Sequence, residues 1–143
     1  MNRLAEILRE KGSEVYTVEA SASVYDAIER MVQKNVGALL VTDAAGEVSG
    51  IVTERDYLRH VELEGRTARE TKVEAIMSSP LVYVTPETTV DESMALMTER
   101  RIRHLPVFDE KVVGLVSIGD VVKFQSKQQS VQIQHLTDYI TAR

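Results

Sequence analysis

The 143-residue sequence contains no cysteine and no tryptophan, and only 3 prolines and 7 glycines. Without thiols there are no disulfides, no thiolate nucleophile and no cysteine-based zinc site. The scarcity of proline and glycine excludes collagen-like and low-complexity structure. Cationic excess is also lacking: the formal net charge is −5 and the pI about 5.2. Such a chain is poorly suited to releasing counterions from a phosphate backbone, so no nucleic-acid partner is expected. Long hydrophobic runs are missing as well. The longest, Val36–Val41 and Val112–Val116, are each interrupted by glycine, and a membrane span needs roughly 20 apolar residues. The opening MNRLAEILREKG is charged throughout and has no apolar core of a signal peptide. No membrane partner and a cytoplasmic location are expected. The hydrophobic fraction, 43%, is that of an ordinary globular chain.

What the sequence does contain is a copy of itself. At an offset of 66, Val18 meets Val84, Val24 meets Val90, Met31 meets Met97, Leu39 meets Leu105, Val41 meets Val107 and Asp43 meets Asp109. The offset then falls to 64, pairing Gly50 with Gly114, Val52 with Val116, Thr53 with Ser117 and Asp56 with Asp120. The two-residue difference falls within DAAGEVSG, where a hairpin turn can absorb it.

Each copy reads as β-α-β-β-α. A short strand (Tyr16–Val18 or Val82–Val84) leads through a polar turn to an amphipathic helix. Ser23 and Thr89 are the expected N-caps, with Asp26 and Glu92 three residues on completing capping boxes. Two strands joined by a turn follow, and a second helix starts near Thr53 or Ser117. A unit of this size cannot bury a stable core alone. The expected fold is therefore α/β (α+β), with two pseudo-symmetric units packed sheet to sheet and short helices at both ends. The expected organisation is an N-terminal helix at 1–12, a first unit at 13–64, a charged linker at 65–79, a second unit at 80–125 and a helical tail at 126–143. In the tail, Ile133, Leu136 and Ile140 form one stripe, with Val131 and Tyr139 nearby. It suits a helix lying on its own domain or a contact with a second chain.

Both copies end their last strand in Gly-apolar-apolar-Thr/Ser-x-x-Asp, as GIVTERD at 50–56 and GLVSIGD at 114–120. The glycine permits close approach, the hydroxyl caps the next helix, and the carboxylate lies in its first turn, where the helix dipole favours it. Capping alone accounts for each motif. Two copies at strand ends also suit a ligand site, with carboxylate toward a ribose diol and hydroxyl and amides toward phosphate.

Together with RIRHLPVFD at 101–109, these motifs resemble the tandem cystathionine-β-synthase (CBS) domain family, or Bateman module, over roughly residues 13–125. LREKGSEVYTV, ERDYLRHVELEGR and LMTERRIRHLPV are similar to its stand-alone members. The resemblance implies a non-catalytic regulatory module that binds an adenosine-containing nucleotide, AMP, ATP or NAD(H), in clefts between two units. It places Asp120 and Ser117, and Asp56 and Thr53, at ribose, Arg103 and His104 at phosphate, and Val18, Val84, Thr85 and Pro86 along the base. The first-copy counterparts of Arg103 and His104 are Gly37 and Ala38, so the two sites should be unequal, since only Arg103 can fork onto phosphate oxygens. The resemblance also implies a homodimer, and Ile28, Met31, Met94 and Met97 are candidates for its surface. The alternatives are a ligand-free dimeric scaffold and an accessory subunit acting on a protein partner. His60, near Glu62 and Glu64, reads as a solvated charged face, and no Walker loop, GxGxxG or Ser-His-Asp pattern suggests an enzyme.

Overall fold

The computed structural model describes residues 2–141, with side chains described through residue 130 and at Gln134. The fold is mixed α+β and divides into two compact units that do not follow chain order. One comprises residues 15–82; the other combines residues 1–14 with 83–143.

In the 15–82 unit, β1 (Thr17–Glu19) runs parallel to β2 (Ala38–Thr42), and β3 (Val48–Thr53) runs antiparallel to it. Helix α2 (Val24–Lys34) buries Val24, Ala27 and Met31 in a core with Leu39, Val41, Val52, Val61, Val73 and Ile76. Ser23 caps α2 by accepting from the Asp26 amide (3.1 Å). Of the expected capping box only this half is recorded. After β3, α3 (Glu54–Tyr57) continues as a π-helical turn at Leu58–Glu62.

In the other unit, α4 (Val90–Arg100) is followed by the hairpin β4 (His104–Asp109) and β5 (Lys111–Ser117). Here Thr89 and Glu92 form the full capping box, and the hydrogen bonds from Thr89 hold the Glu92 carboxyl below its ordinary pKa. The strand expected at Val82–Val84 is reduced to a single bridge between Val84 and Val107. Proline explains the loss. In the first copy the Leu40 amide donates to Tyr16 O and the Ala20 amide to Thr42 O. Pro106 and Pro86 stand at the corresponding positions and have no N–H to donate. Only the central pair of bonds survives, Val84 N to Pro106 O and Phe108 N to Val84 O. The two hairpins absorb the repeat's length difference: the first turns through Asp43–Glu47 with Gly46 at φ 81°, the second on Glu110 at φ 66°. Both carry a register irregularity at the same repeat position, Val41/Thr42 and Val107/Phe108.

Helix α1 (Leu4–Lys11) packs in the unit of the second copy, where Leu4 and Ile7 are buried. Its Leu4 and Ala5 amides donate to Thr88 O and Pro86 O, and Asn2 O accepts from Val90 N. Residues 65–79, read above as a linker, do the equivalent for the first copy. Val73 and Glu74 amides donate to Ala22 O and Ala20 O, Thr71 O accepts from Val24 N, and Val73 and Ile76 are buried. These bonds reveal a further repeat at an offset of 69, setting Arg3-Leu4-Ala5-Glu6-Ile7-Leu8 against Lys72-Val73-Glu74-Ala75-Ile76-Met77. The copies differ after it: LREK continues as helix, whereas Ser78-Ser79-Pro80 leaves it, since a proline biases the residue before it away from helix.

The last helix, α5 (Ile118–Thr141), is continuous, so the backbone of the expected tail prolongs the helix that begins at the motif. The apolar stripe Val131, Ile133, Leu136, Tyr139 and Ile140 lies outside the described side chains. Of the residues assigned to a dimer surface, Met31 and Met97 are only 3% and 2% exposed. Met31 fills the core of its own unit, and neither buried side chain is available to a second chain. Ile28 and Met94 are half-buried. No described helix is long and apolar enough to cross a membrane.

Candidate functional site

Both strand-end motifs build the same hydrogen-bonded loop. In the first copy the Thr53 amide (2.9 Å) and hydroxyl (3.1 Å) donate to Asp56 Oδ2, and the Asp56 amide donates back to Thr53 Oγ1 (3.3 Å). In the second, the Ser117 amide donates to Asp120 Oδ2 (2.9 Å) and the Asp120 amide to Ser117 Oγ (3.1 Å). The first helical amide is also held alike, Glu54 N by Gly37 O and Ile118 N by Arg103 O. All four motif side chains are half-buried. In each copy the recorded bonds converge on Oδ2, and among the described residues none reaches Oδ1. Each carboxylate is thus oriented by its own cap with one oxygen left for a further donor.

The copies differ in what lies against the carboxylate. Lys11, the last residue of α1, places Nζ 2.6 Å from Asp120 Oδ2 and 2.6 Å from Leu115 O. A helix C-terminus favours a cation there. The ion pair is part-exposed, the side chains retaining 36% and 23% of their accessibility. Burial pushes the Asp120 pKa up, but the Lys11 hydrogen bond, the Ser117 amide and the Lys11 charge outweigh it and hold the carboxyl below its ordinary value. At the 69-residue offset the counterpart of Lys11 is Pro80, and no ion pair to Asp56 is recorded among the described residues. Lys11 was not among the expected site residues. The match of RLAEIL to KVEAIM, which assigns α1 its place, was the signal that could have found it.

His104 opens β4 opposite Ser117. Burial and then the Lys11 charge lower its pKa, against an opposing effect of Asp120, with the Arg103 charge the least of the four. It is therefore a neutral imidazole at neutral pH. Arg103 is exposed and contributes its carbonyl to the helix start. The structure thus gathers Arg103, His104, Ser117 and Asp120 around one helix start. Val18 pairs with Val41 in β1, and Val84 bridges Val107 at the matching position. Thr85 is exposed and Pro86 half-buried, in the turn that receives the α1 amides. His60 faces solvent 3.7 Å from Glu64.

The CBS domain family matches this chain twice, at residues 4–63 and 73–127. The two matches start 69 residues apart, the offset of the docking segments. A mitochondrial CBS domain-containing protein of Arabidopsis thaliana is 47% identical over 123 residues, covering 82% of this chain and 60% of that protein. The chain spans from a fifth to three fifths of the length of the first three curated relatives it matches. A CBS-domain protein of Burkholderia ambifaria superposes with a TM-score of 0.81 at 50% identity, covering 85% of this chain and 92% of that one. A CBS domain pair solved in complex with 5′-methylthioadenosine and S-adenosyl-L-methionine shares the fold, with a TM-score of 0.78 at 22% identity, over 90% of this chain and 98% of that one. With a doubled strand-end motif and two family matches that together take in most of its length, this chain belongs to the CBS-domain family, as a tandem pair.

Proposed function

We propose that this CBS pair is a non-catalytic regulatory module that binds an adenosine-containing nucleotide, AMP, ATP or NAD(H), at its strand-end Thr/Ser–Asp motifs. The observation that carries the reading is the carboxylate held through one oxygen by its own cap in both copies, with the other oxygen accepting nothing among the described residues. A ribose diol supplies donors of the kind that oxygen needs. The methylthioadenosine complex of a neighbour with the same fold supports a ligand of this class. Val18, Val84, Thr85 and Pro86 are proposed to flank the base, and Arg103 and His104 to face phosphate in the second copy.

Mass spectrometry of small molecules released from denatured protein identifies the ligand, and calorimetric titration with AMP, ATP and NADH measures it. Asp120→Asn should cost about tenfold or more in affinity, as expected for weakened charge-assisted bonds. Unchanged affinity with a lowered melting point would leave the motif as a helix cap. A homodimer is part of the proposal. Val32 on α2 and Val122 on α5, 75% and 52% exposed, are apolar surface that a second chain would cover. Light scattering giving only a 16.0 kDa particle would rule the dimer out.

A further inference from the structure

Lys11 and Pro80 occupy the same repeat position, and Lys11 lies against Asp120, the counterpart of Asp56. A bare carboxylate is a good acceptor for ribose hydroxyls but repels any phosphate nearby. An ammonium 2.6 Å from it cancels that repulsion and offers a donor to the phosphate. We propose that Lys11 is a specificity-determining residue that makes the second copy select phosphorylated nucleosides over bare ones, while the first copy, with Pro80 in its place, lacks that selection. The inference rests on the adenosine-ligand reading above and adds to it the charge of the ligand.

Three features place Lys11 for this role. It sits on the last turn of α1, whose Leu4 and Ile7 are buried, so the helix is anchored while its end stays part-exposed. Its ammonium holds Asp120 by Oδ2 only, so a ribose can take Oδ1 without displacing it. Its charge is also felt at His104, which puts Lys11, His104, Arg103 and Asp120 in one neighbourhood. Of these, Lys11 and Arg103 carry the positive charge.

The test titrates the full chain with adenosine and with AMP by calorimetry, for the wild type, Lys11→Met and Lys11→Arg, with melting curves for each. Wild type should prefer AMP at the site that Asp120→Asn weakens. Lys11→Met should weaken AMP there by about tenfold, the size of one charge-assisted hydrogen bond, and leave adenosine within about twofold. Lys11→Arg should keep the preference. Raising salt from about 50 to about 500 mM should erode the wild-type preference without touching adenosine, a measurement that needs no variant to fold. Equal losses for AMP and adenosine in Lys11→Met would make Lys11 structural, and equal gains would make it a competitor of the ribose. Either overturns the inference and leaves the ligand reading standing. A wild type that binds neither compound overturns both.

Discussion

Gly50 and Gly114 hold the same place in the two copies, yet different things press on them. A Cβ at Gly50 would meet the Ser78 carbonyl and Met77 Sδ, both at 2.8 Å; one at Gly114 would meet Leu8 Cδ2 at 2.5 Å. The docking segment crosses the first copy as irregular backbone and the second as helix. That difference follows from Ser78-Ser79-Pro80 against Arg9-Glu10-Lys11, and its consequence is a cation on Asp120 and none recorded on Asp56. A repeat can thus keep its ligand-facing loop unchanged and alter its chemistry through the segment laid over it.

The comparison can be broken most severely through the sheets. Leu40→Pro should give the first copy the strand loss already present in the second. It removes the donor to Tyr16 O and a fully buried side chain, so about 4 kcal/mol of stability should go, read from denaturant unfolding. A loss under about 1 kcal/mol would show that the third strand contributes little. Next come the glycines. Gly50→Ala must move a backbone carbonyl and should cost about 3 kcal/mol, whereas Gly114→Ala meets only the end of a leucine and should cost about 1 kcal/mol. Leu8→Ala should rescue Gly114→Ala, and failure to do so would contradict the contact.

Protonation separates the copies further, because the repeat counterpart of His104 is Ala38. Its pKa is lowered in the fold, so the unfolded chain takes up the proton first. The stabilisation is whole above the unfolded value, about 6.5, and is lost as pH falls through that value toward the lower folded one. Melting temperature should therefore drop between about pH 7.5 and pH 5, and His104→Ala should flatten that slope. An unchanged slope would refute the assignment. The smallest effect is at the helix ends. Asn35 and Arg101 both sit at φ 55°, a conformation asparagine tolerates and arginine resists. Arg101→Gly should stabilise by about 0.5–1 kcal/mol and Asn35→Gly by less. The reverse order would show that the Arg101 side chain makes an offsetting contact.

The local pattern of residues determined much of this protein. Apolar matches at offsets of 66 and 64 gave the two β-α-β-β-α copies. Ser23 and Thr89 start their helices as side-chain chemistry requires, and Thr53–Asp56 and Ser117–Asp120 close their loops over three residues. Such contacts span one helical turn and are legible in sequence. The missing strand at Val82–Val84 was legible too, because Pro86 and Pro106 announce the lost donors, but only to a reader who asked where each amide bonds. The tertiary structure decided the rest. Residues 1–14 could have packed on the copy they precede; instead they complete the other one. The physical reason is that Leu4, Ile7 and Leu8 need an apolar partner but carry no label for which one. Backbone bonds to Pro86 O and Thr88 O and the hollow at Gly114 provide it in the second copy. Lys11 and Asp120 are 109 residues apart in sequence, and no periodicity connects them. Only the docking of α1 brings that ammonium to that carboxylate.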